Sequence, residues 1–135
     1  MKYFCALVFA LLTSSALAGT SNGYGMGGQF SRFDPVVAEH NRTGELFRIE
    51  GHCQSACTVF LGIKNVCVQP SARLLFHAGH DRQRNISTKW TNHMLAAYKP
   101  ALRQYLVSNH YMDTLAFHTI SGRELIDKFG YKACP

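Results

Sequence analysis

Apolar positions recur along this chain with two different periods. The longest run of three- and four-residue spacing lies between Thr91 and Asn109. There Met94, Leu95, Tyr98, Leu102, Tyr105 and Leu106 fall on one helical face. Pro100 sits inside that run and is expected to kink it or split it in two, because its ring removes a donor and clashes with the preceding turn. Phe30 to Asn41 predicts another helix, with Phe33, Val36, Val37 and His40 on one face. Asp34-Pro35 offers a cap followed by proline, and Gly44 offers a stop. Ser121-Gly122-Arg123-Glu124 has the form of a capping box. It opens a helix through Leu125, Ile126 and Phe129 that Gly130 closes. Met112 to Phe117 predicts a further helical turn.

The strand signals are shorter. Glu45 to Glu50 alternates around Leu46, Phe47 and Ile49; Val66-Cys67-Val68 is a short apolar run closed by Pro70; Arg73 to His77 is a third. Ser55 to Leu61 is helix-compatible and ends at Gly62. The order helix, strand, helix, strand, strand predicts an α/β fold. Gly19 to Gly28 carries five glycines and reads as a flexible lead-in. His80 to Thr88 is polar and reads as a surface loop, and Tyr131 to Pro135 as a tail that Cys134 ties down.

The first eighteen residues change the picture of where this chain works. Lys2 supplies a positive start, Tyr3 to Leu12 an apolar stretch, and Thr13 to Ala18 an Ala-x-Ala-type cleavage pattern. That is the form of a secretory signal peptide, too short for a membrane span. Residues 1–18 are therefore expected to be removed, leaving one exported domain of 117 residues, periplasmic or secreted. It loses only Lys2 of the 14 Lys and Arg, keeps all 8 acids and carries +5. The charges are scattered, with Arg82, Arg84 and Lys89 the densest group. They suit solubility and attraction to anionic envelope surfaces, and no basic stripe with interleaved aromatics points to nucleic acid.

Four cysteines remain after such cleavage: Cys53, Cys57, Cys67 and Cys134. An even count in an exported chain argues for two disulfides, with three connectivities open. The Cys53–Cys57 spacing is loose for zinc and no second tight pair exists, so no metal is called for. His77-Ala78-Gly79-His80 lacks a third ligand placed by the sequence. Asn41-Arg42-Thr43 and Asn85-Ile86-Ser87 are glycosylation sequons that matter only in a glycosylating pathway.

The candidate chemistry lies between Gly51 and His77. Ser55 sits among small residues at an expected strand-to-helix turn, with the Ala56 N–H at a helix start, and His77 ends a neighbouring strand. A serine becomes a nucleophile when a histidine takes its proton, a further group orients that histidine, and backbone N–H groups hold the oxyanion. Ser55 also suits a plain helix cap, and His77 a strand-end histidine bonded to backbone.

The residues also resemble a family. Gly51-His52-Cys53-Gln54-Ser55-Ala56 looks like the nucleophile turn of the Clp-protease/crotonase superfamily, with a glycine four residues before the catalytic serine. Pro70 to His77 resembles that family's next segment, with proline seven residues before the catalytic histidine. Gly27-Gly28 resembles its oxyanion turn, and Glu124 to Gly130 its closing helix. The Cys-x-Ser-Ala-Cys form, with a signal peptide, is similar to a group of small exported bacterial Clp-protease-like proteins. The resemblance covers roughly residues 25–131.

It implies a truncated Clp-protease/crotonase-like ββα core with C-terminal helices, stabilised by disulfides, over residues 30–135 behind the lead-in 19–29. It also implies Ser55 as nucleophile, His77 as general base, and the N–H groups of Gly28 and Ala56 as oxyanion donors. The family's orienting aspartate falls at or beside His118; Asp113 is the nearest acid, and Asp81 follows His77 closely. The family's earlier strands are missing and the Gly62–Val66 loop is shorter. Two functions fit this set: an exported serine hydrolase or peptidase using a Ser–His pair, or a degenerate module that binds a peptide or another envelope component. Neither needs a cofactor, and an exposed sheet edge would invite a homo-oligomer.

Overall fold

The computed structural model describes residues 19–135, and the expected signal peptide lies outside the described residues. The elements are β1 (Gly19–Thr20), α1 (Phe30–Thr43), β2 (Phe47–Ile49), β3 (His52–Gln54), a 3-10 helix (Ser55–Gly62), β4 (Val66–Val68), β5 (Arg73–Phe76), α2 (Thr88–Ala96), α3 (Pro100–Ser108), β6 (His118–Ser121), α4 (Gly122–Phe129) and β7 (Lys132–Ala133). They make a mixed α/β fold with two small sheets. One has the order β1-β2-β4-β7 and is parallel throughout. The other has the order β3-β5-β6, with β3 parallel and β6 antiparallel to β5.

Parallel neighbours need a crossover, and the helices supply it. The α1 helix joins β1 to β2, and the 3-10 helix joins the β2–β3 stretch to β4. Only Glu50 and Gly51 separate β2 from β3. Gly51, at φ +61°, turns the chain from one sheet to the other.

The core is built around three phenylalanines, each at most 1% exposed: Phe33 of α1, Phe47 of β2 and Phe60 of the 3-10 helix. Ring centroids of Phe47 and Phe60 lie 4.5 Å apart, and those of Phe33 and Phe60 5.4 Å apart. Ala56 to Leu61 is buried throughout, as a segment apolar on every side requires. This fixes the 3-10 helix from below, and Ser55 is its first residue.

Several elements differ from what periodicity predicts. The long helical run is two helices, with Pro100 at the start of α3, where its missing N–H costs nothing. The first of the two begins at Thr88, ahead of the expected Thr91, because Ser87 caps it by accepting from the Trp90 N–H. Residues 112–117 form turns and bends in place of a helical turn, and β6 follows them. Strands β1, β3 and β6 carry too few alternating apolar residues to announce themselves. The glycine-rich lead-in is not a loose linker. Its first two residues pair with β2, the Gln54 N–H donates to the Gly25 carbonyl at 2.9 Å, and Gln54 Nε2 donates to the Met26 carbonyl at 3.0 Å. The fold has no joint at residue 29. No helix among the described residues is long and apolar enough to cross a membrane.

Two disulfides form, Cys53–Cys57 and Cys67–Cys134. The first clasps the turn around Ser55. Cys67 ties β4 to the C-terminal tail. The two closures differ in span, 4 residues against 67. Chain-entropy scaling gives roughly 2 kcal/mol for the short loop and roughly 4 kcal/mol for the long one. Replacing both Cys67 and Cys134 by alanine is therefore expected to lower unfolding free energy by about twice as much as replacing Cys53 and Cys57, read by urea titration. Equal losses would show that the short clasp carries global stability as well.

Candidate functional site

The turn from β3 into the 3-10 helix presents Ser55. Its backbone lies at φ +55°, in the left-handed region that residues with a Cβ avoid. Three features hold it there. Cys53 and Cys57, both fully buried, close a five-residue ring of chain beneath it. Thr58 Oγ1 donates to the Ser55 carbonyl at 2.7 Å, one 3-10 turn back. Gly27 packs against the turn from the lead-in, and a Cβ added there would stand 2.9 Å from the Gln54 carbonyl oxygen and 3.0 Å from Ser55 Cβ. The lead-in can come this close only because Gly27 has no side chain.

Gly28 follows at φ +139°. The Gly28 N–H has no backbone acceptor among the described residues, and the Ala56 N–H lies in the first turn of the 3-10 helix. Both Gly28 and Ser55 line one cavity of about 910 Å³.

His77 follows β5 and lines the same cavity, 5% exposed. Its Nδ1 lies 2.6 Å from the Ala78 carbonyl oxygen. A carbonyl accepts and never donates, so Nδ1 carries the proton and Nε2 keeps a free lone pair. The ring stacks on His80 at 5.8 Å and meets the Phe117 ring edge-on at 5.1 Å. Burial pushes the His77 pKa below the ordinary histidine value, with lesser downward pushes from His80 and Arg84 and an opposing upward one from the Ala78 carbonyl. The segment itself is pinned on both sides. The Ala78 N–H donates to the Thr114 carbonyl at 2.8 Å, and the Gly79 N–H to Thr91 Oγ1 at 2.9 Å.

Neither candidate acid orients His77. Asp113 pairs with His110 Nδ1 at 2.8 Å, and both side chains are exposed. Asp81 lines the cavity but spends its carboxylate on its own turn. It accepts from the Gln83 and Asn85 N–H groups, each at 2.9 Å, and from Asn85 Nδ2 at 3.3 Å. Those bonds, the Asn85 N–H foremost, hold its pKa below the usual carboxylate range. His118, where the acid was expected, stacks on Tyr111 with centroids 3.4 Å apart. Its neighbour Phe117 is the one that reaches His77.

The structure thus brings Gly28, Ser55 and His77 around one cavity and places Ala56 next to Ser55. No hydrogen bond joins Ser55 to His77 among the described residues. The orienting role at His77 falls to a backbone carbonyl, the strand-end arrangement that the sequence also allows, and not to an acid. Phe30, Trp90 and Phe117 were missed as cavity walls; the signal for the last was an apolar residue just before a strand. Among the described residues, no group of three His, Cys, Asp or Glu is arranged to hold a metal ion.

Strain at Ser55 has a measurable consequence. Ser55→Gly removes the left-handed penalty of about 1–2 kcal/mol and adds about 0.5–1 kcal/mol of unfolded-chain entropy. The variant is expected to be slightly more stable than the parent in urea titration. A loss of 1 kcal/mol or more (about the same scale) would show that the hydroxyl stabilises the fold and that the turn is unstrained.

No protein-family model, curated protein or solved structure matches this chain, so the chemistry of the site rests on its own geometry.

Proposed function

We propose that this protein is a serine hydrolase acting on peptide or ester bonds, exported, and a reduced relative of the Clp-protease/crotonase superfamily. The observation that carries the proposal is the strained Ser55 turn, clasped by Cys53–Cys57 and facing a cavity it shares with a histidine whose Nε2 is free. In this reading His77 Nε2 takes the Ser55 hydroxyl proton as Oγ attacks the acyl carbon. The N–H groups of Gly28 and Ala56 stabilise the oxyanion, and the protonated histidine then returns its proton to the leaving group. The Ala78 carbonyl holds the tautomer that makes this possible. Two disulfides support an oxidising compartment, and with it export and removal of residues 1–18.

The absence of a carboxylate at His77, and of a Ser55–His77 hydrogen bond, favours a second reading: a module that binds a peptide or other envelope component without turnover. A fluorophosphonate probe separates the two. The oxidised protein spanning residues 19–135 is expected to be labelled, and Ser55→Ala to lose the label. Folded wild-type protein that stays unlabelled sinks the hydrolase and leaves the binding module.

The acid limb of kcat/KM follows from the base. Catalysis needs neutral His77, and its pKa is displaced downward from 6.5. Activity is expected to hold as pH falls through 6.5 and to decline only below it. A folding contribution has the same direction, since the native state resists protonation: it is fully present above pH 6.5 and fades as the solution becomes more acidic. An acid limb centred above pH 6.5 would remove His77 from the role of general base.

A further inference from the structure

The cavity at Ser55 has two chemically different walls. One is apolar. Phe30 and Trp90 stack with centroids 5.2 Å apart, Met94 and Leu115 lie alongside, and Phe117 and Met26 stand at the rim 50% and 76% exposed. Large apolar side chains held open to solvent beside a candidate nucleophile are a costly arrangement unless something covers them.

The other wall is the turn after His80, which brings Arg82 and Arg84 to the cavity. Both are exposed, and among the described residues neither forms an ion pair. The one acid lining the cavity, Asp81, turns its carboxylate to three N–H donors of the same turn and forms no ion pair with either arginine. The turn is closed by the pairing of His80 with Ile86, and Arg84 sits at φ +63° within it. The sequence therefore spends a left-handed backbone position on an arginine facing the cavity, where a glycine would fit with less strain.

Resting on the hydrolase reading for the place of the acyl group, we infer that this site takes an acyl compound with an apolar group on one side and a free carboxylate on the other. The apolar group lies against Phe30, Trp90 and Phe117. The carboxylate is held by the guanidinium groups of Arg82 and Arg84, whose planar donor forks suit it. Such a carboxylate is either the C-terminal end of a short peptide or the acid group of a simple apolar acid.

Binding tests this apart from turnover, because Trp90 is the only tryptophan in the chain and lines the cavity. Its fluorescence is followed in wild-type and Ser55→Ala protein during titration with two matched pairs. One pair is 4-phenylbutanoate and 4-phenylbutanamide; the other is N-acetyl-Phe-Ala-Leu as free acid and as amide. The acid of at least one pair is expected to bind roughly three- to tenfold tighter than its amide, as two exposed charge pairs allow. That preference should disappear in Arg82→Gln/Arg84→Gln, survive in Arg82→Lys/Arg84→Lys, and shrink in about 0.5 M salt. The pair that shows it identifies the source of the carboxylate. Equal binding of acid and amide in both pairs overturns the inference, and so does a preference that the Gln variant keeps. Either result leaves fluorophosphonate labelling of Ser55 untouched, and an unlabelled Ser55 leaves the binding preference to stand or fall by itself.

Discussion

A serine rests at φ +55° only where its neighbours leave it no better choice, and here the closest of them is the Cys53–Cys57 bond. The span is short, so the bond restricts less of the unfolded chain than Cys67–Cys134 does. Its effect is local: Gln54, Ser55 and Ala56 must close a tight ring of backbone. The phenylalanine cluster seats the 3-10 helix directly after that ring, and β3 fixes the chain directly before it through its register with β5. Between those two anchors the backbone has no slack in which to relax. The lead-in then covers the outer side, through Gly25 and Met26 on Gln54 and through Gly27 on the turn itself. The geometry around Ser55 is a consequence of packing on all sides, and the disulfide is the part of it that no side-chain fluctuation can undo.

The helices of this fold are legible in the sequence and several strands are not, for a physical reason. The α4 helix shows its cap, its apolar face and its terminal glycine between Ser121 and Gly130, because a helix must satisfy its own ends. The Ser121 side chain accepting from the Glu124 N–H is the bond that the spacing foretells. A three-residue strand such as β3 has no such obligation. Its pairing comes from β5 some twenty residues away, and only Cys53 of its three side chains is buried. Gly19 and Thr20 are invisible as a strand for the same reason, and Gly19, Gly25 and Gly27 read as slack when they are in fact sites of close approach.

At the site, Ser55 and His77 are legible as residue types, and their shared cavity is not, since it depends on which elements end beside one another. The partner of His77 is legible only through the plainer of its two readings, a strand-end histidine bonded to backbone. The search for an acid leads to Asp113, Asp81 and the His118 position, because side chains carry the names. Asp113 turns to His110, Asp81 to its own turn, and His118 to Tyr111. The backbone of Ala78 does the orienting, and any residue at position 78 other than one that disturbs the chain path offers the same carbonyl.

In the hydrolase reading, that substitution of carbonyl for carboxylate would change the character of the base. In a Ser–His–Asp set the acid does two things: it fixes the tautomer, and it stabilises the imidazolium formed as the proton moves. The Ala78 carbonyl does the first fully, since a misplaced proton would leave two acceptors facing each other. It does the second weakly, as a dipole rather than a charge. Burial foremost, and to a lesser degree the Arg84 guanidinium, push the same way, against the protonated ring. The downward shift favours neutral His77 with Nε2 unprotonated, and as a base it would be a reluctant proton acceptor. In that reading such a base would suit a carbonyl whose leaving group departs readily, and an anionic ligand better than a neutral one. A carboxylate bound by Arg82 and Arg84 would offset the positive potential that disfavours the imidazolium, so occupancy of the cavity would itself raise the basicity of His77.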